Sequence, residues 1–196
     1  RYNGRMKTKP LTFLLALTFL FLFSGSIYGD DLQDATDAYH NKDYKTAYKL
    51  ILPLAEQGHA KAQNYLGFMY HKGLGVLQDY KEAVKWHRLA AEQGLAEAQY
   101  NLGLMYADGL GVLQDYKEAV RLYRLSAEQG DAKAQSNLAL MYYKGLGVPK
   151  DYVSAHMWIN LAASNGEEDA IEKRTMVEKK MSPSQLEKAQ DMARNW

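Results

Sequence analysis

From Ala60 to Gly166 apolar residues recur on two superposed rhythms, a short one of three to four residues and a long one of 36. The short rhythm is helical: Ala62, Leu66, Met69 and Tyr70 follow the i, i+4, i+7, i+8 stripe that one face of an amphipathic helix requires. This predicts a first helix, A, over about Ala60–Lys72. A second stripe, Ala83, Val84, Leu89 and Ala90, predicts helix B over about Tyr80–Gln93, with all four residues facing inward. The long rhythm then repeats the pair, with Ala62/Ala98/Ala134, Leu66/Leu102/Leu138, Tyr70/Tyr106/Tyr142 and Ala83/Ala119/Ala155 each separated by 36 residues. A period of this length marks stacked supersecondary units, each of which buries one face on its neighbour.

Between the two helices the phrase GLGVLQDYKEAV stands at Gly73–Val84 and again, letter for letter, at Gly109–Val120; GLGVPKDYVSAH follows from Gly145. It reads as a corner. Gly73 falls where a helix ends in a left-handed residue, a conformation a side chain resists. Asp79 is placed to cap the next helix, and Glu82, three residues on, to complete a capping box, as do Asp115 and Glu118. Asp151 is followed by Ser154, so half of that device is missing there. A phosphate-cradling loop is the rival reading. It fails because Gln78 stands where the third glycine of G-x-G-x-x-G is needed, a helix precedes the turn, and no lysine occupies the P-loop position. Helix A also carries Gly67 and Gly103 in its interior at a cost of ~1 kcal/mol each against alanine. The third unit has Ala139 there, so the requirement is small size, and the partner helix is expected to cross closely at that point.

The ends are predicted to be caps. Asp43-Tyr44-x-x-Ala47 matches Asp79-Tyr80-x-x-Ala83, and a helix over about Leu32–His40 precedes it through the short turn Asn41-Lys42-Asp43. Pro53 should bend the following helix. After Gly166, Asp169–Met181 begins in register at Ala170 but is studded with charge, and Ser182-Pro183-Ser184-Gln185 gives three start signals for a last helix. Leu186, Ala189, Ala193 and Trp196 form its apolar stripe, with Trp196 expected to be packed.

The pattern A-x-A-x-x-x-L-G-x-M-Y…G-x-G-V-x-x-D-Y-x-x-A…A-A-E-x-G, carried by Ala60–Gly94, resembles the Sel-one-like repeat, a tetratricopeptide relative. The likeness covers Ala60–Gly166 and departs from the pattern at Ala139, Pro149, Val153 and Ser154. It implies an all-α fold: a right-handed α/α superhelical solenoid of antiparallel helix pairs with N- and C-terminal capping helices, helix A lining the concave side. The expected layout of residues 30–196 is a capping half-repeat 30–59, repeats 60–94, 95–130 and 131–166, and a C-terminal cap 167–196.

The N-terminus reads differently. Five residues precede Met6; Lys7 and Lys9 then lead into the apolar run Leu11–Phe23 and the small residues Ser24–Gly29. That is the order of a secretory signal, expected to be cut after Ser26 or Gly29. The alternative, an uncleaved anchor, is disfavoured because the run is shorter than the ~20 residues that span hydrocarbon. Residues 1–29 are thus assigned to upstream residues and signal, and the chain to export, periplasmic or secreted, from a bacterium. Processing removes Arg1, Arg5, Lys7 and Lys9 from 24 basic residues and none of the 23 acidic ones, leaving three more acids than bases. With no basic block, nucleic acid is excluded as a main partner.

Candidate chemistry is sparse. There is no cysteine, so disulfides and thiolate metal sites are excluded. His40, His59, His71, His87 and His156 form no H-E-x-x-H pair, and His87 is replaced by Tyr123 and Ile159 in later units, as a packing residue would be. No nucleophile motif such as G-x-S-x-G or S-x-x-K occurs. Glu167 and Glu168 suit a helix start. The reading is a chain with no catalytic residue, cofactor or metal.

What remains are positions on helix A that the period leaves free: Lys61/Glu97/Lys133, Asn64/Tyr100/Ser136, Phe68/Leu104/Leu140, His71/Ala107/Tyr143 and Lys72/Asp108/Lys144. Their spacing puts them along one side of the helix, away from the core stripe. In tetratricopeptide-like proteins the corresponding side holds a peptide, and the resemblance carries that role to Lys61, Asn64, Phe68, His71, Glu97, Tyr100, Asn101, Leu104, Lys133, Ser136, Leu140 and Tyr143. Phe68, Tyr100, Leu104, Leu140 and Tyr143 would be the apolar anchors, and Asn64 and Asn101 would reach peptide amides. The competing view is that Leu104 and Leu140 merely fill the inner curve. The function expected is a monomeric, non-enzymatic adaptor for a protein or peptide. Two alternatives stand beside it. One is a β-lactam- or peptidoglycan-directed enzyme like the cysteine-rich relatives, disfavoured by the absent cysteines. The other is a self-assembling array, disfavoured by the caps.

Overall fold

The computed structural model describes residues 31–196, and these form ten helices with no strand. Residues 31–40 form α1, followed by α2 (Tyr44–Glu56), α3 (Ala60–Lys72), α4 (Tyr80–Glu92) and α5 (Ala96–Asp108). Then come α6 (Tyr116–Glu128), α7 (Ala132–Lys144), α8 (Tyr152–Ser164), α9 (Ala170–Glu178) and α10 (Pro183–Arg194). Each helix from α2 to α8 packs on the next, and α10 folds back onto α8. The expected signal, and with it the apolar run Leu11–Phe23, lies outside the described residues. Among the described residues no helix is long and apolar enough to cross a membrane.

The corner works through its polar atoms. Gly73, Gly109 and Gly145 end α3, α5 and α7 at φ of 68°, 70° and 74°, the left-handed geometry the sequence implied. Gln78 then turns back, its Nε2 donating to the carbonyl of His71 at 2.8 Å, and Gln114 does the same to Ala107. Two helix-end carbonyls that would otherwise lack partners are thereby satisfied. Asp79 starts α4 by accepting from the amides of Lys81 and Glu82 at 2.8 and 3.1 Å. The capping box does not close there. Glu82 pairs with Lys85 at 3.0 Å, and Glu118 with Arg121 at 2.7 Å, because a basic residue three positions on competes for the carboxylate. A complete box occurs in α10, between Ser182 and Gln185.

Units touch through backbone. A methyl group on Gly75, Gly111 or Gly147 would lie 2.2, 2.3 or 2.2 Å from the carbonyl oxygen of Tyr44, Tyr80 or Tyr116, the first residue of the preceding B helix. The second glycine of the phrase is therefore where one corner rests on the helix start one unit back. Within a unit the close crossing is equally specific. A methyl on Gly67 would meet the His87 ring at 2.9 Å, and one on Gly103 the Tyr123 ring at 2.8 Å. Ala139 shares its core cluster with Ile159, which has no ring.

The core is a row of clusters along the stack. Ala35, Ala47, Ile51 and Leu66 anchor the first, Ala83, Ala98 and Leu122 the second, and Leu138, Trp158 and Ala170 the third. Two expectations need correction. Leu89 is exposed, and Trp86 and His87 are buried in its stead, since the crossing with α3 rotates α4 toward Gly67. Trp196 is 59% exposed; it keeps one edge contact with Trp158, centroid to centroid 4.8 Å, beyond the last turn of α10. α2 runs unbroken through Pro53, and the turn before it places Lys42 at φ 63° where the other corners use glycine.

Candidate functional site

The first helices of the units, α1, α3, α5, α7 and α9, form one row, and the N-terminal halves of α3, α5 and α7 border an open groove of about 500 Å³. Six of the residues singled out on helix A line it: Asn64, Phe68, Glu97, Tyr100, Asn101 and Lys133. The remaining six do not. Lys61 is exposed at the start of α3, Leu140 is exposed on α7, and Leu104 is partly buried against the core. His71 packs between Phe68 and Tyr80, with ring centroids 6.3 and 5.6 Å away, and Tyr143 packs on Tyr152 at 5.6 Å. Helix A therefore divides along its length: its first two turns face the groove, and its last turn faces its own corner.

The amide side chains also differ from expectation. Asn64 is buried, its Oδ1 accepting from Asn101 at 3.0 Å and from His87 Nδ1 at 2.9 Å, while its Nδ2 donates to Glu97 at 3.3 Å. Ser136 is buried and accepts from Lys173 at 2.8 Å. These are rungs between successive units. Asn64 meets Asn101 and Ser136 meets Lys173, each pair 37 residues apart. Free variation along the period thus conceals a polar pairing across units.

A further ladder went unread in the sequence. Gln63, Gln99 and Gln135 are buried and donate to the carbonyls of Ala55, Ala91 and Ala127 in the preceding helix. Their Oε1 atoms accept from Gln93, Gln129 and Asn165 at 2.7–2.9 Å. The repeated dipeptide Ala62-Gln63, Ala98-Gln99, Ala134-Gln135 was the available signal. Tyr39, Tyr65, Asp131 and Glu167 also line the groove and were not anticipated. Asp131 and Glu167 share one position of the 36-residue period, which is His59 and Leu95 in the earlier units.

Burial holds the His87 imidazole at a pKa of about 3, with repulsion from His71 adding to it, so the ring is neutral. It donates through Nδ1 to Asn64. Burial also raises the Tyr100 hydroxyl, and the charges of Asp131 and Glu167 add to the rise; Tyr65 is raised by burial and then by Glu97. Elsewhere, His156 is fully engaged. Its Nε2 lies 3.0 Å from Glu178 and its Nδ1 3.1 Å from Asn160, which in turn accepts from Arg174. That cluster clamps α8 to α9. Among the described residues no group of three or more His, Asp or Glu side chains is placed to hold a metal ion.

A row of helix pairs stacked one on the next defines an all-α repeat solenoid. The Sel1 repeat model matches residues 36–59, 60–95, 96–131 and 132–167, more than half of the chain, and the chain belongs to the Sel1 repeat family. Proteins of this family are generally protein-interaction scaffolds and typically not enzymes.

Among solved structures, the chain is similar to a Sel1 repeat protein from Oxalobacter formigenes, with 36% identity and a TM-score of 0.70 over 74% of this chain and 60% of that one. It is also similar to a protective antigen of uropathogenic Escherichia coli strains displaying an SLR fold, with 32% identity and a TM-score of 0.59 over 76% of this chain and 40% of that one. Cysteine-rich protein B of Helicobacter pylori shares the fold at 22% identity and a TM-score of 0.54, over 66% of this chain and 93% of that one. The chain thus spans less than two thirds of the length of the first two. Comparison with curated protein sequences gives no match.

Proposed function

We propose that this protein is an exported, monomeric scaffold that holds a segment of another protein in the groove along its A helices. The observation that supports this reading is the groove itself. It is open, it crosses three units, and Phe68 and Tyr100 lie in it among polar groups, the mixture of apolar anchor and polar rim that dominates interface energy. Export rests on the charged, apolar and small-residue order of Lys7–Gly29.

One experiment addresses both parts. Tagged protein is captured from the envelope fraction of its own cells after cross-linking, alongside a Phe68→Ala/Tyr100→Ala variant. Removing two aromatic anchors should weaken partner recovery at least about tenfold. Equal recovery from a variant with undiminished helix content would refute the groove. Mass analysis of the captured chain should show its first residue just after Ser26 or Gly29, and an intact N-terminus would refute cleavage.

A further inference from the structure

We propose that the groove selects a basic segment, seating a lysine or arginine side chain between an aromatic wall on α1 and α3 and the carboxylates of Glu97, Asp131 and Glu167. This rests on the groove reading above and names the chemistry of its occupant.

The balance of charge in the groove is the first observation. Glu97, Asp131 and Glu167 line it against Lys133, the one cation among its lining residues, with Lys72 held over the Phe68 ring at 5.8 Å. Among the described residues none of these three carboxylates takes part in an ion pair, whereas other acids of the protein do: Glu82 with Lys85, Glu118 with Arg121, Asp169 with Lys173. Asp131 uses one oxygen to cap α7, accepting from Ala134 at 2.8 Å, and Glu97 accepts one bond from Asn64. An ionised carboxylate has about four acceptor sites, so both keep capacity for a charged donor.

The aromatic wall is the second. Tyr39 stands 5.7 Å from Tyr65 and 6.4 Å from Phe68, ring centre to ring centre, and all three rings border the groove. Ring faces carry the negative end of a quadrupole and attract a cation within about 6 Å. The same rings accept the methylene stem of a lysine or arginine while its head reaches an acid. Burial, and after it the neighbouring carboxylates, push the hydroxyls of Tyr100 and Tyr65 up, in line with this placement of the acids. An acidic segment would meet like charge and no compensating cluster of bases.

The test offers purified protein a library of random peptides displayed on beads, sequences the bound pool, and repeats the selection on variants. The bound pool should be enriched several-fold in Lys and Arg and depleted of Asp and Glu. Affinity of selected peptides should fall roughly tenfold from low to high salt, as screening dictates. Glu97→Lys/Glu167→Lys should reverse the preference toward acidic peptides, and Lys133→Glu should strengthen the basic one. Asp131 is spared in these variants because it caps α7. Peptides that need Tyr100 for binding yet show no basic enrichment overturn this inference and leave the groove reading standing. Basic enrichment that persists in Glu97→Lys/Glu167→Lys places the site elsewhere and overturns it as well. Failure to select any peptide that depends on Tyr100 overturns both.

Discussion

At the seam between units, backbone rests on backbone: Gly75, Gly111 and Gly147 each approach the carbonyl of a tyrosine that opens the preceding B helix, and all three do so alike. At the crossing inside units, side chain rests on backbone, and the three differ. Gly67 faces His87, Gly103 faces Tyr123, and Ala139 shares a core with Ile159. The contrast teaches what the 36-residue period constrains. A carbonyl cannot be made smaller, so the seam admits only glycine. A crossing holds a fixed volume shared by two side chains, so a methyl gained on helix A is matched by a ring lost from helix B.

Breaking the seam should have the largest effect. Gly111→Ala brings a methyl against the Tyr80 carbonyl at a left-handed residue, and strain plus displacement should lower stability by about 3 kcal/mol or more in urea unfolding followed by circular dichroism. A loss no larger than for an exposed surface substitution would show that the seam yields easily. At the crossing, Ile159→Tyr imports the ring of the second unit without its glycine and should cost about 2 kcal/mol. Adding Ala139→Gly should make the double variant more stable than the sum of single losses by about 1 kcal/mol. Strict additivity would contradict the shared-volume account.

The smallest effect sharpens the comparison of first and second units. His87 has a folded pKa of about 3 against 6.5 when unfolded, so the unfolded chain binds the extra proton. Its contribution is therefore complete above pH 6.5 and is lost as pH falls toward 3, at up to about 1.4 kcal/mol per pH unit. His87→Tyr makes the first crossing a copy of the second, Gly67 facing a tyrosine. Between pH 7 and 5.5 the variant should shed about 1 kcal/mol of acid-induced loss relative to the parent. Parallel stability profiles for the two would refute a neutral buried His87.

Helix positions were legible in the sequence because their causes are local. Asp79 and Gly73 mark start and stop through bonds to amides and carbonyls within a few residues of themselves, and the helices begin and end there. Leu89 was misread because a 3.6-residue stripe is broad enough to include its flank, and only the crossing at Gly67 decides which flank turns inward. Half of the stripe borders the groove for the same geometric reason, as residues three and four apart on one helix share a face. Ser136 lies outside the groove and Asn64 is buried at its floor because variation along the period looks like exposure, whereas each is matched by Asn101 or Lys173 in the next unit. Such pairing is long-range and invisible to a periodicity confined to one helix. Tyr39 reaches the groove only because α1 stacks where another unit's first helix would lie.

The buried glutamines have a mechanical corollary. Gln63, Gln99 and Gln135 each grip the last helix of the preceding unit and the end of the second helix of their own unit with one planar amide, so a single side chain ties three consecutive helices together. Successive helices are accordingly gauged like track on sleepers: their spacing is set by the span of an amide, and the reach of the trough by the number of sleepers. Duplicating one unit would lengthen the reading frame offered to a bound segment by a single step and leave its calibre unchanged.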